Sequence, residues 1–96
     1  MKINLHKVSL QAEIGKVMQR DINKEFADAI HMETSDIGVM YLMRKISHAQ
    51  GEVEIPDNLI PYIAEMTEKS RYLKAFVKEA VLKILGIDPK QRDIWT

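Results

Sequence analysis

The chain contains no cysteine. That excludes a disulfide framework, a thiolate zinc site and a cysteine nucleophile, and it fits a reducing compartment. Net charge is absent too: fourteen basic and fourteen acidic side chains cancel, so no overall field steers the chain toward nucleic acid or an anionic membrane. No apolar run approaches the roughly 18 residues that a membrane span requires. The opening MKINLHKVSL has neither a long apolar segment nor a small-residue cleavage site, so no secretory leader is expected. Glycine is confined to Gly15, Gly38, Gly51 and Gly86, too scattered for either nucleotide-binding loop. No repeat, low-complexity tract or linker divides the sequence. These absences point to one small domain spanning 1–96, with 87–96 as a short C-terminal tail, in the cytoplasm and without membrane association.

What the chain does have is helical periodicity, in a composition that is 46% hydrophobic and 29% charged. Residues 2–6 (KINLH) alternate and suit a short extended segment. From Ser9, a plausible N-cap, apolar residues recur at Leu10, Ile14, Val17, Met18, Ile22, Phe26, Ala29 and Ile30, which predicts a helix over 9–31. Its i+4 series drifts about 40° per step around a 3.6-residue turn, so the stripe spirals. Thr34, Ser35 and Asp36 form a cap cluster ahead of a second helix over 36–49. That helix is apolar on most sides, which marks it as central or interfacial, and Gly51 suits its left-handed C-terminal cap. Residues 52–55 alternate as a second short extended segment, which the segment near 2–6 can pair with as a small ribbon. Pro56 ends it. Asp57 or Asn58 then caps a third helix over 58–69, with Pro61 in its first turn. The fourth helix, 71–85, carries the apolar stripe Leu73, Phe76, Val77, Ala80, Val81 and Ile84, and Gly86 closes it. The expected fold is therefore mainly α: a compact bundle of about four helices with two short extended segments.

Catalytic equipment is hard to find. His6, His31 and His48 lack metal-ligand spacing, and Ser9, Ser35, Ser47 and Ser70 sit in no nucleophile-elbow context. Glu13, Asp21, Glu25 and Asp28, interleaved with Lys16, Arg20 and Lys24, read as the solvated face of the first helix. No enzyme activity, cofactor or metal is expected. Apolar surface is the stronger signal. Met40 and Met43 belong either to the core or to an adaptable binding surface. Leu73, Phe76 and Val77 need a partner element, either within the chain or in a second protein. Trp95 docks either on the domain's own core or on a partner. Arg71, Lys74 and Lys78 fall on one side of the fourth helix, the one local excess of basic charge and the candidate nucleic-acid contacts.

The segments Val53-Glu54-Ile55-Pro56-Asp57-Asn58-Leu59 and Phe76-Val77-Lys78-Glu79-Ala80-Val81 resemble the strand, helix start and second helix of ribbon-helix-helix DNA-binding proteins. The resemblance covers about a third of the chain. It implies a dimer whose paired strands place Glu52 and Glu54, or Val53 and Ile55, toward DNA.

Two function readings follow. The first is a non-enzymatic protein–protein interaction or assembly module (a small adaptor, inhibitor or structural subunit) that self-associates through helical apolar faces, with a homodimer expected. The second is a dimeric DNA-binding regulator using 52–85. Neutral charge ranks the first above the second.

Overall fold

In the computed structural model, which describes residues 1–88, the segment expected to begin the first helix is a β-hairpin. Strands β2 (Val8–Glu13) and β3 (Lys16–Arg20) pair antiparallel, with Leu10 opposite Met18 and Glu13 opposite Lys16. This corrects the expected helix over 9–31 and with it the mainly α bundle: among the described residues the fold is a mix of four α-helices and two small antiparallel sheets. The physical cause lies at Gly15, whose φ of +80° turns the chain between Glu13 and Lys16. An L side chain there costs about 1–2 kcal/mol, and a right-handed helix has no use for that conformation. Val8-Ser9-Leu10 alternates buried, exposed, buried, the signature of a half-covered strand.

Helix α1 (Asn23–Glu33) begins only after the hairpin. The Ile22 amide donates to the Leu5 carbonyl at 2.9 Å, which closes the base of the arm, and Phe26 then returns to Ile22 as the helix starts. Helix α2 (Ile37–His48) is capped by Asp36, whose carboxylate accepts from the Val39 amide at 3.0 Å. It ends at Ala49 in extended geometry, and Gly51 does not take a left-handed conformation. The two extended segments do pair, although as two residues each. Strand β1 (Lys2–Ile3) lies antiparallel to β4 (Val53–Glu54), and the Ile55 amide donates to the Met1 carbonyl. A short 3-10 turn, Asp57–Leu59, leads into α3 (Ile60–Lys69), with Pro61 in the first turn, where its missing N–H costs little.

The fourth helix, α4, runs from Ala75 to Ile84 and starts later than expected because Ser70 bends the connection before it. The Ser70 hydroxyl donates to Glu33 Oε1 at 2.5 Å. It accepts from the amides of Tyr72 and Leu73 at 3.2 and 3.3 Å. Glu33 also accepts from the Arg71 amide at 3.3 Å. Residues 71–74 are thereby held out of the helix and tied to the end of α1. At its far end α4 closes with a Schellman arrangement. Gly86 has φ +82°, its amide reaches Lys83, and the Ile87 amide reaches Leu82.

One core unites these elements. Phe26 and Ile30 from α1, Val39, Met43 and Ile46 from α2, Ile63 from α3, and Val77 and Val81 from α4 are all buried. Ile3, Leu5, Val8, Leu10 and Ile55 join them from the extended segments. No helix among the described residues is long and apolar enough to cross a membrane.

The Ser70–Glu33 tie should show in stability. Ser70→Ala removes three buried or half-buried hydrogen bonds and is expected to lower the unfolding free energy by about 1–3 kcal/mol. Chemical denaturation measures this, and a change within the roughly 0.5 kcal/mol of an ordinary surface substitution would remove the bond from the account.

Candidate interaction surface

The hairpin is anchored at its base and bare at its tip. Val8 and Leu10 are buried, and α4 packs on the face that carries them. Arg20, opposite Val8, lies with its guanidinium 6.0 Å from the centre of the Phe76 ring and donates to Glu25 at 2.6 Å. Both contacts hold β3 near the body at its C-terminal end. From Gln11 to Arg20 every residue is exposed, the whole of β3 included. Ile14 at the turn is 102% exposed, Val17 70% and Met18 46%. An isoleucine at a hairpin apex is unusual chemistry, because turns favour Gly, Asn, Asp and Pro. Three large apolar side chains are thus exposed on one projecting arm, Met18 on one side of the hairpin, Val17 on the other and Ile14 at the turn. A second exposed apolar group, Met32, Ile37 and Tyr41, sits where α1 gives way to α2, with the Arg44 guanidinium 5.3 Å from the Tyr41 ring centre.

The arm's exit is held by a polar junction. His6 Nδ1 lies 3.0 Å from Asp21 Oδ2, and its Nε2 lies 2.5 Å from the Ala49 carbonyl. Both neighbours are acceptors, so the ring meets them best when both nitrogens carry protons. The hydrogen bond to Asp21, followed by that to Ala49, holds the His6 pKa above its ordinary value of 6.5. Asp21 is held below its ordinary 3.8, first by the Asn23 amide and then by His6. The buried Asn23 side chain donates to the carbonyls of Ile46 at 2.5 Å and Ala49 at 3.3 Å. Beside this junction an open depression of about 550 Å³ is lined by Asp21, Asn23, Lys24, Glu25, Asp28 and Ser47. Among the described residues no three His, Asp or Glu side chains are placed to hold a metal ion.

The residues singled out from the sequence are scattered by the fold. Met43, Leu73 and Val77 are buried in the core, so they offer no surface to a partner. Met40 and Phe76 are half-buried. Trp95 lies outside the described residues. Arg71 and Lys74 precede α4, so they share no helical stripe with Lys78. Lys78 donates from Nζ to the Glu68 carbonyl at 2.8 Å, at the end of α3. Of the two faces that the ribbon-helix-helix resemblance could turn toward DNA, Val53 and Ile55 are buried while Glu52 and Glu54 are exposed, and β4 is paired within its own chain.

Sequence reasoning missed the hairpin tip. The available signal was Glu13-Ile14-Gly15-Lys16, a glycine-bearing turn that follows the alternating Val8-Ser9-Leu10. Comparison with family models, curated proteins and solved structures found no match.

The His6 junction gives a pH dependence with a defined sign. A folded-state pKa above 6.5 means that the His6 contribution is complete below pH 6.5 and is lost as pH rises through the folded value. Asp21 acts in reverse: its contribution is present above pH 3.8 and lost as pH falls through the lowered value. An NMR titration of the His6 ring is expected to give a midpoint above 6.5 that drops in Asp21→Asn. Thermal stability is expected to decline above pH 6.5, less steeply in His6→Gln. A midpoint at or below 6.5 would contradict the junction.

Proposed function

We propose that this chain is a non-enzymatic protein–protein interaction and assembly module that engages its partner through the β2–β3 arm. One observation carries the reading: an arm fixed to the body by Val8, Leu10 and Arg20 that presents Ile14, Val17 and Met18 to solvent. A two-stranded hairpin gains little stability by itself in water. Displaying large apolar side chains there gives the fold nothing and costs solubility. Covering them in a complex contributes about 1.5–3 kcal/mol for each side chain fully buried. The expected contact differs from the helical faces expected from the sequence, because α4's stripe is already spent on the chain's own core. The balanced charge also suits association that survives salt.

The duplex-binding reading ranks second. Its expected strand is paired within the chain and exposes only the acidic side, Glu52 and Glu54, and one of its three expected basic contacts is tied to the end of α3.

The test compares the unmodified chain with the double variant Ile14→Ser/Val17→Ser as bait in extracts of its own cells, at high salt. A bound protein is expected that the variant loses at least about tenfold, which is some 1.4 kcal/mol. Equal recovery by both baits would overturn the reading. So would duplex DNA binding that falls steeply with salt and is unaffected by the double variant.

A further inference from the structure

The free edge of β3 identifies an occupant for the arm. Among the described residues strand β3 pairs only with β2, so its other side presents a row of backbone donors and acceptors. Residues directly opposite each other across an antiparallel pair share a face. Met18 and Arg20 therefore lie on the side of Val8 and Leu10, the side that meets α4, and Lys16 joins them by alternation. Val17 and Gln19 lie on the other side. The irregularity between Leu10 and Glu13 falls in β2, where three steps along the chain match two along β3, so β3 itself stays regular. A regular, fully exposed edge is the kind that another strand can extend.

The side chains distinguish between possible partners. An acidic extended segment has little to gain here, because both bases of β3 already have acids: Lys16 meets Glu13 at 3.2 Å and Arg20 meets Glu25 at 2.6 Å. A second copy fits better. About a two-fold axis through Met18, an antiparallel pair of β3 strands sets Met18 against Met18, Val17 against Gln19, and Lys16 against Arg20. The last pairing brings two bases together, but each arrives with its own acid, so the contact is neutral as a set. The chain as a whole also carries no net charge to hold copies apart. We infer that two copies of this chain join β3 to β3 in antiparallel register centred on Met18, forming a continuous four-stranded sheet with the strand order β2-β3-β3-β2. The isolated hairpins become one sheet, the two exposed methionines cover each other beside the α4 helices, and β3 ceases to be an edge. This deepens the interaction reading by naming a second copy as the partner, and it rests on that reading only for the use of the arm.

The absence of cysteine makes the test clean. Met18→Cys is expected to give a disulfide-linked dimer on mild oxidation, since residues opposite on an antiparallel pair bring their Cβ atoms within about 4.5–5.5 Å. Gln11→Cys, also exposed but on β2, is expected to remain unlinked, because three strand spacings of about 4.8 Å separate the copies there. The unmodified chain is expected to sediment as a dimer, and Met18→Lys, with circular dichroism confirming its fold, as a monomer. Three results would each overturn the self-pairing: an unmodified chain that stays monomeric at high concentration, a dimer that Met18→Lys leaves intact, or linkage at Gln11→Cys as efficient as at Met18→Cys. A monomer that still captures a different protein in an Ile14- and Val17-dependent way would sink the self-pairing and leave the interaction reading standing.

Discussion

The carbonyl group of Ala49, at the end of α2, is the point on which the rest of the structure depends. A helix terminus leaves its last carbonyls without partners, and burying them unpaired costs about as much as the lost hydrogen bonds. Here the partners come from two distant places. The His6 ring arrives from the N-terminal arm and the Asn23 amide from the first turn of α1. Asp21 then holds both, through the His6 ring and the Asn23 backbone. One helix end thus fixes the residues on either side of the hairpin. With positions 6, 21 and 23 fixed, the intervening segment has to leave the body and return, and a two-stranded arm is the way it does so.

This arrangement explains why part of the fold was legible in the sequence and part was not. Helix α2 has a chemical start signal in Asp36, and α3 has one in its proline. Gly86 likewise marks a real helix end. The hairpin was hidden by an arithmetic coincidence. Leu10, Ile14, Met18, Ile22, Phe26 and Ile30 recur every four residues, and four is close to one helical turn while also being twice the strand period. Over Phe26–Ile30 the spacing reflects a helix; over Leu10–Met18 the chain reverses at Ile14 and Gly15, and the spacing joins residues that face each other across the hairpin. Only Gly15 and the Val8-Ser9-Leu10 alternation separate the two, and both are short-range features that a long periodic series outweighs.

The candidate site was less legible than the fold, for a related reason. Periodicity reports which residues share a face, but not whether the chain covers that face itself. Leu73, Val77 and Met43 were found as apolar faces and proved to be core. Lys78 was found as a base and proved to bind the end of α3. The exposed apolar residues Ile14, Val17 and Met18 were read as part of a helical stripe, which says nothing of a projecting hairpin. Exposure is a tertiary property, set here by the Ala49 junction far along the chain.

The ribbon of Lys2–Ile3 and Val53–Glu54 has a consequence for how the molecule is made. It joins segments some fifty positions apart, so it forms only after a long loop has been drawn closed, with the entropy of closure met first. The hairpin closes over Ile14 and Gly15 alone, an event of roughly 1–10 μs. Synthesis imposes the same order, because Lys2 and Ile3 have no strand partner until Val53 and Glu54 have been added. Strand β1 therefore waits for some fifty further residues before its ladder can close.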